Sequence, residues 1–300
     1  MYQSRIASRR DFVKAGAASL ACASALTQSA SLHAAIHKLP LGLQLYSVRD
    51  LLPKDYAGTL KQIGALGYKE VESAGYYDHS AAEVMQAMTG ANLKLVSAHY
   101  PYAALAKDID QIIDFHHQLG ASRIICSSPG RAPGHINSAH GITLDDWRWN
   151  ADQFNKFGEK MAAAGIKFGY HNHIPEFHVT DGVLPYAELM RLTDPAKVSF
   201  EMDCGWAIVG GGDPVEMLHK YRTRIFMLHV KDFKLAEKND KGEPKVEELG
   251  LGTVDFRPIF EAASKTGHIE HIFVEQEAFN VAPMESLKID ADFMHKIGAA

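Results

Sequence analysis

Short apolar runs alternate with longer amphipathic segments along the chain from residue 41 to residue 275. The short runs are typical of buried strands, whereas the longer segments repeat their apolar residues at helical spacing. The pattern predicts eight strands, over residues 41–46, 68–72, 93–99, 123–127, 166–173, 198–203, 225–230 and 272–275. It predicts helices over residues 56–66, 81–88, 109–119 and 144–164, and a further helix that follows Asp213 with Pro214 at its first position.

The alternation of strands and helices indicates a parallel β/α architecture. Eight such units in about 260 residues match the size of a (β/α)8 TIM barrel. A doubly wound open sheet is the alternative, but no glycine-rich dinucleotide fingerprint follows a predicted strand. Because no linker divides the sequence, we predict a single TIM-barrel domain over residues 35–300.

The first residues have the pattern of an export signal. Arg9 and Arg10 are followed by an apolar residue and by Lys14, which resembles a twin-arginine signal. The uncharged stretch over residues 15–26 is rich in alanine and shorter than the ~20 apolar residues that span a bilayer. We therefore predict a cleavable signal over residues 1–34 and a periplasmic mature protein without a membrane anchor. The alternative is a frayed helix that contains a chance arginine pair.

Charge and cysteine content exclude several classes of protein. The formal net charge is −5, whereas proteins that bind nucleic acid usually carry a basic surplus. Only three cysteines are present, and one of them, Cys22, lies in the predicted signal, so neither a disulfide scaffold nor a thiolate zinc cluster is expected. The expected partner is a small molecule rather than nucleic acid or membrane, and a homo-oligomer stays open.

Polar side chains of one chemical kind collect where the predicted strands end. These are residues that can bind a metal ion or move protons: His99, His171, His173, Glu201, Asp203, His229, Lys231, Glu275 and Glu277. In a TIM barrel the active site lies at the C-terminal ends of the strands. Strand geometry puts residues two apart on one face, so these side chains can converge on the barrel axis.

Mixed imidazole and carboxylate ligands suit one divalent ion such as manganese, zinc, cobalt or magnesium. The lack of cysteine ligands argues against a structural zinc site. A lone histidine at a strand end more often makes a hydrogen bond than binds a metal. Asp203, His229 and Glu275, however, offer an acid, an imidazole and an acid on three consecutive predicted strands, which favours a metal site.

Seven segments make the chain similar to a known superfamily. They are GLQLYSVRD (42–50), LVSAHY (95–100), GYHNHIPEF (169–177), FEMDCGW (200–206), LHVKDF (228–233), ELGLGTVDF (248–256) and FVEQE (273–277). In order and spacing they resemble the xylose-isomerase-like TIM-barrel superfamily, the sugar phosphate isomerase/epimerase group that includes tagatose epimerases and inosose dehydratases. The resemblance extends over essentially the whole predicted domain.

The resemblance implies one divalent metal ion with one ligand from each of the last four strands. Asp203, His229 and Glu275 match three of these ligands. The fourth is a glutamate in the epimerases, and His171 stands at that position here, an arrangement closer to the inosose dehydratases. Glu176 is the alternative fourth ligand.

The same resemblance implies roles for residues around the metal ion. The expected catalytic residues are Glu275, His173 and Glu176. The expected substrate-binding residues are His99, Lys231, Glu72 and Trp206.

The implied reaction removes a proton next to a carbonyl group and passes through an enediolate, which a metal ion stabilises. We expect a metal-dependent isomerase or epimerase that acts on a non-phosphorylated sugar or keto-sugar. A lyase or dehydratase acting on a 3-keto-glycoside or inosose is the alternative, because His171 replaces a catalytic glutamate. A barrel that binds sugar without turnover is the alternative that is not an enzyme.

Overall fold

The computed structural model describes residues 39–135, 141–240 and 242–299. Eight parallel strands form a closed barrel, which confirms the predicted (β/α)8 fold. The export signal predicted over residues 1–34 lies outside the described residues. In the part of the chain that the structure describes, no helix has both the length and the apolar character needed to cross a membrane.

The barrel strands follow one another in chain order, interrupted by one inserted hairpin. The strands of the described residues are β1 (Leu41–Gln44), β2 (Glu70–Ser73), β3 (Lys94–Pro101), β4 (Arg123–Ser128), β5 (Lys167–His171), β6 (Ser199–Asp203), β7 (Ile225–Val230), β8 (Asp232–Lys238), β9 (Pro244–Glu247) and β10 (His271–Val274). The antiparallel hairpin β8–β9 was not predicted, and β10 closes the barrel between β7 and β1. β1 and β5 end earlier than predicted, so His173 lies beyond its strand.

The α-helices of the described residues pack around the barrel. They are α1 (Tyr56–Ala65), α2 (Ala81–Gly90), α3 (Tyr102–Leu119), α4 (Leu144–Ala163), α5 (Pro185–Leu192), α6 (Cys204–Val209), α7 (Pro214–Lys220), α8 (Phe256–Thr266) and α9 (Pro283–Lys296). As predicted, Asp213 caps α7, and its Oδ1 accepts a hydrogen bond of 2.8 Å from the Val215 amide. α3 begins earlier than predicted and bends at Asp108, which has non-helical backbone angles.

Alternation along β5 separates the outer core from the site. Tyr170 packs outward on Phe154 of α4, with the ring centroids 4.6 Å apart. Gly169 and His171 face the interior instead, where a Cβ atom at Gly169 would lie 2.8 Å from Ile125 Cδ1. A glycine is therefore required for the apolar side chains that fill the barrel below His171. These side chains are Val96, Ile125, Phe226, Met227 and Phe273.

Asp232 fixes the loop that follows the inserted hairpin. Its carboxylate accepts hydrogen bonds from the amides of Gly250 (3.0 Å), Gly252 (3.1 Å) and Val254 (3.0 Å). The adjacent Phe233 packs against Trp206, with the ring centroids 4.9 Å apart. The hairpin and its loop therefore support one side of the site at the top of the barrel.

Candidate metal centre

Four predicted ligands come together at the C-terminal ends of the strands. His171 and Asp203 are the last residues of β5 and β6, His229 lies near the end of β7, and Glu275 follows β10. All four side chains are buried, and one potential ligand atom from each lies within 4.8 Å of the others. The barrel register accounts for part of this convergence, because Asp203 is paired with His229 across β6 and β7.

The Asp203 carboxylate is held in place by one oxygen and leaves the other without a hydrogen bond. Its Oδ1 accepts a hydrogen bond of 2.7 Å from the amide of Trp206, whereas the buried Oδ2 accepts none and lies 3.4 Å from Lys231 Nζ. The Asn172 amide fixes the backbone of Asp203, donating to its carbonyl at 3.1 Å and accepting from its N–H at 3.2 Å. A divalent cation suits this unpaired oxygen and its imidazole and carboxylate neighbours.

His99 and His229 share two buried carboxylates. His99 Nε2 lies 2.8 Å from Glu72 Oε2 and 2.7 Å from Glu201 Oε2. His229 Nε2 lies 2.7 Å and 3.2 Å from the same two oxygen atoms. Nδ1 of His229 remains directed to Glu275 Oε2, at 3.0 Å. Carboxylates that bond one imidazole nitrogen orient the other toward a metal ion, which is the arrangement offered here.

Glu72 does not have the place that the sequence predicted for it. Its side chain is completely buried and accepts hydrogen bonds from Gln44 Nε2 at 2.8 Å and Ser97 Oγ at 2.6 Å. All of these contacts, and those to His99 and His229, are made within the protein. Glu72 therefore supports the histidines rather than facing a substrate.

Glu201 is a member of the site that the sequence analysis did not select. Its Oε2 contacts three imidazoles, including that of His171 through Nδ1 at 2.9 Å. With His99, His171 and His229 it forms a second group of potential ligands that overlaps the first. Its position two residues before Asp203 on β6 is the signal that could have identified it, since both residues face the barrel interior.

Burial and opposite charges divide the site into charged and neutral histidines. Burial lowers the pKa of His99, but Glu72 and Glu201 outweigh this effect and raise it to about 9. His229 behaves in the same way, and its pKa lies well above the usual value. Burial instead holds the pKa of His171 well below its usual range, so this imidazole is neutral and free to act as a ligand.

Lys231 is buried among acidic side chains. Its Nζ lies 3.1 Å from Glu275 Oε2 and also contacts Glu277, which accepts a hydrogen bond of 3.0 Å from the Trp206 indole. The same ammonium lies 4.6 Å from the centre of the Trp206 ring. These carboxylates outweigh burial and raise the pKa of Lys231. Lys231 and Trp206 thus hold Glu277 beside the site, and their predicted contact with substrate stays a prediction.

A cleft of about 340 Å³ opens above these ligands. It is lined by Tyr46, Ala74, His99, Pro101, Ser127, His171, His173, Glu275 and Glu277. His99, His171, His173 and Glu275 are therefore brought together in one cleft, as the sequence predicted for the ends of the strands. Lys231, Trp206 and Glu72 do not line it.

The two remaining predicted residues lie on the segment that follows β5. The imidazole of His173 is 4.9 Å from that of His171, and burial lowers its pKa to about 4. Glu176 accepts a hydrogen bond from the Tyr170 hydroxyl, and burial raises its pKa to about 7. Among the described residues, Glu176 belongs to neither group of converging ligand atoms, whereas His171 belongs to both.

Comparisons with known proteins agree with this architecture. Among curated proteins, the inosose dehydratase of Lacticaseibacillus casei is 27% identical over 238 residues, which cover 70% of this chain and 78% of that protein. A solved structure of a sugar phosphate isomerase/epimerase from Parabacteroides distasonis aligns with a TM-score of 0.69 and 28% identity, over 86% of this chain and 98% of the other. A xylose isomerase-like TIM barrel protein from Mycobacterium smegmatis, in complex with magnesium, aligns with a TM-score of 0.63 and 14% identity, over 88% of this chain and 98% of the other.

The family assignment rests on both sequence and structure. A family model described as a xylose isomerase-like TIM barrel matches residues 60–297, which include β3 to β10 and every residue of the first ligand group. Together with the closed eight-stranded barrel, this match shows that the chain belongs to the xylose isomerase-like TIM barrel family.

Proposed function

We propose that this protein is a divalent-metal-dependent lyase that removes water from a non-phosphorylated keto-sugar or inosose. The observation that carries the proposal is His171 at the end of β5, where a neutral imidazole joins Asp203, His229 and Glu275 in one ligand group. The similarity to proteins named inosose dehydratase supports elimination as the outcome. Elimination was the alternative in the sequence analysis, and these relatives now favour it over isomerisation.

The four residues of the first group would hold the metal ion. We prefer this group because one oxygen of Glu201, in the overlapping group, already contacts three imidazoles, whereas Asp203 has an oxygen without a hydrogen bond. When bound, a divalent ion supplies positive charge that stabilises the oxyanion formed next to the breaking C–H bond. A magnesium ion is present in the Mycobacterium smegmatis protein of the same fold.

His173 would act as the base. It lines the cleft, and its lowered pKa keeps the imidazole neutral and able to accept a proton at neutral pH. The C–H bond next to the carbonyl breaks, a C=C bond forms, and the C–O bond on the next carbon breaks. The leaving oxygen takes one proton, from the imidazolium of His173 or from the carboxyl group of Glu176, and departs as water.

The charge of the ligand set favours loss of a leaving group. A histidine in place of a glutamate makes the site more positive by one charge, which stabilises an enediolate. The same replacement removes a carboxylate that could return a proton to the opposite face of the carbon. Of the two carboxylates that line the cleft, Glu275 belongs to the ligand group and Glu277 is held by Lys231 and Trp206.

The lining of the cleft supports a substrate without phosphate. The described residues that line it include histidines and glutamates but no lysine or arginine. A phosphate group is usually bound by such cations or by the amino terminus of a helix. Hydroxyl groups of a neutral sugar, by contrast, match imidazole and carboxylate partners.

Epimerisation or isomerisation is the second candidate function. The 28% identity with the Parabacteroides distasonis sugar phosphate isomerase/epimerase favours it. Both reactions share the first step, removal of a proton next to a carbonyl, and differ in the fate of that proton. A barrel that binds a sugar without turnover would show neither proton exchange nor product.

One experiment separates the three candidates. The protein is loaded in turn with manganese, cobalt, zinc or magnesium and incubated in heavy water with an inosose and with 3-keto-glucosides. We expect proton NMR to show the signals of an unsaturated or dehydrated product. Deuterium at an inverted carbon without elimination would support the epimerase, and unchanged spectra with bound metal would contradict both enzymes.

A further inference from the structure

A second pocket adjoins the cleft on the side of β4 and β5. It has a volume of about 280 Å³ and is lined by Ser127, Ser128, Pro129, Ile142, Trp147, His173, Pro175 and Glu176. Ser127 and His173 line both cavities. A ligand in the cleft can therefore extend past the base His173 into this side pocket.

The walls of the side pocket are mainly apolar. Pro129, Ile142, Trp147 and Pro175 present rings and alkyl groups, in contrast to the histidines and glutamates of the cleft. An apolar cavity of about 150 Å³ is large enough to bind benzene. The side pocket therefore suits an aromatic ring or a short alkyl group, and a sugar ring would leave its hydroxyl groups there without partners.

One polar atom of the side pocket lacks a partner. Glu176 is 1% exposed, and its Oε2 makes no hydrogen bond, while its Oε1 accepts one from Tyr170. Unpaired polar atoms at this depth are rare in proteins, because each costs free energy. An oxygen atom of a ligand at the junction of the two cavities would satisfy Glu176, and burial, which raises the pKa of Glu176 to about 7, lets it donate a proton to such an atom.

The wall formed by the loop after β4 is anchored in advance of any ligand. Asn150 of α4 accepts a hydrogen bond of 2.8 Å from the Gly130 amide and donates one of 2.9 Å to its carbonyl. The buried Asp146 accepts another of 2.9 Å from the Ala132 amide. Gly130 also packs so closely on Tyr102 that a Cβ atom would lie 2.4 Å from its ring. The side pocket is therefore preformed, which lowers the entropic cost of binding.

We propose that the side pocket binds the apolar aglycone of a glycoside whose sugar ring occupies the metal-bearing cleft. The sugar half of this assignment rests on the proposed function, whereas the aglycone half rests on the apolar walls and the shared residues. The substrate class would then be a keto-glycoside with an aromatic or alkyl aglycone, and its glycosidic oxygen would lie near Glu176.

The test uses the isolated aglycone, so that it depends on neither the metal nor the identity of the sugar. 4-Fluorophenol is titrated at millimolar concentrations into wild-type protein, and binding is followed by fluorine NMR. We expect saturable binding to wild type and at least about tenfold weaker binding to Ile142→Trp, whose larger side chain fills the pocket. Leu251→Trp is the matched control, because Leu251 is 55% exposed and belongs to the loop after β9.

The outcomes distinguish this proposal from the proposed function. Absence of saturable binding to wild type, or equal binding to Ile142→Trp, would overturn the aglycone pocket even if sugars are turned over. Binding that Ile142→Trp abolishes would support the pocket even if no keto-sugar reacts. In the active enzyme, we expect Ile142→Trp to raise the KM of a phenyl 3-keto-glucoside about tenfold without changing that of the methyl 3-keto-glucoside. Thermal unfolding of each variant establishes that it is folded.

Discussion

The imidazole rings of His99 and His229 lie parallel in the barrel, with an angle of 6° between their planes and 5.3 Å between their centroids. Two buried carboxylates, Glu72 and Glu201, lie against the Nε2 atoms of both rings. The pKa values of both histidines are raised, and these carboxylates allow two such groups to lie so close together. The orientation of His229 toward the metal centre therefore depends on residues that need not touch the metal.

We predict that Glu201→Gln weakens metal binding about 10- to 100-fold, because the amide orients His171 and His229 less firmly than the carboxylate. Isothermal titration with manganese or zinc measures the dissociation constant. Glu188→Gln is the control, since Glu188 is a buried carboxylate on α5 that pairs with Arg148 and Arg191, away from the site. Unchanged affinity in folded Glu201→Gln would contradict the orienting role.

His173→Ala should slow the reaction without removing the metal ion. Loss of a general base typically lowers kcat by about 10²- to 10⁴-fold. We expect a comparable fall in kcat, little change in KM, and a full equivalent of metal by elemental analysis. His219→Ala, on the exposed surface of α7, is the control and should behave as wild type. A kcat within a fewfold of wild type would remove His173 from the mechanism.

Part of this site follows from the sequence and part does not. Period-two alternation predicted the inward direction of Asp203, His229 and Glu275, because that direction depends only on local strand geometry. The roles of Glu72 and Glu201 depend on barrel closure, which brings β2 beside the histidines of β3 and β7. They depend also on an irregular register between Phe200 and Glu201, and no local pattern reveals either feature.

The fold shows the same division. Repeated strand and helix patterns predicted all eight barrel strands, while the hairpin β8–β9 interrupts the repeat after β7 and was missed. The hairpin explains the burial of Lys231, which lies between β7 and β8. The sequence put Lys231 at the end of a strand, facing substrate, because a barrel strand is normally followed by a loop to a helix.

A buried acid outside the site gives a pH-dependent prediction. Burial raises the pKa of Asp290 to about 7, and the nearby Glu248 and Asp232 add to this effect, although the Leu249 amide donates a hydrogen bond to it at 2.7 Å. The folded protein therefore binds one more proton than the unfolded chain between about pH 4 and pH 7. Stability from this group is present at low pH and is lost as the pH rises through that range.

We expect Asp290→Asn to be more stable than wild type at pH 8, by up to about 4 kcal/mol, and to lose that advantage at pH 5. The asparagine keeps an oxygen that can accept from Leu249, so the hydrogen bond is retained. Urea unfolding at the two pH values measures the difference. An advantage of equal size at both pH values would show that the charge of Asp290 is not its cause.

Export is tested independently of the site. Replacing both Arg9 and Arg10 with lysine should leave the precursor in the cytoplasm, because the paired arginines define the proposed signal. Cell fractionation and the mass of the mature protein, which we expect to begin near Ala35, measure the effect. Periplasmic protein at the wild-type level would contradict the twin-arginine route.

The central claim is that His171 completes the metal centre with Asp203, His229 and Glu275. A crystal structure of the zinc-loaded protein tests it most directly, with the metal located by anomalous scattering. The account predicts a His171 nitrogen at about 2.0–2.1 Å from zinc. A His171 nitrogen beyond about 3 Å, with a carboxylate oxygen of Glu176 in the fourth position at about 2.0–2.2 Å, would contradict it.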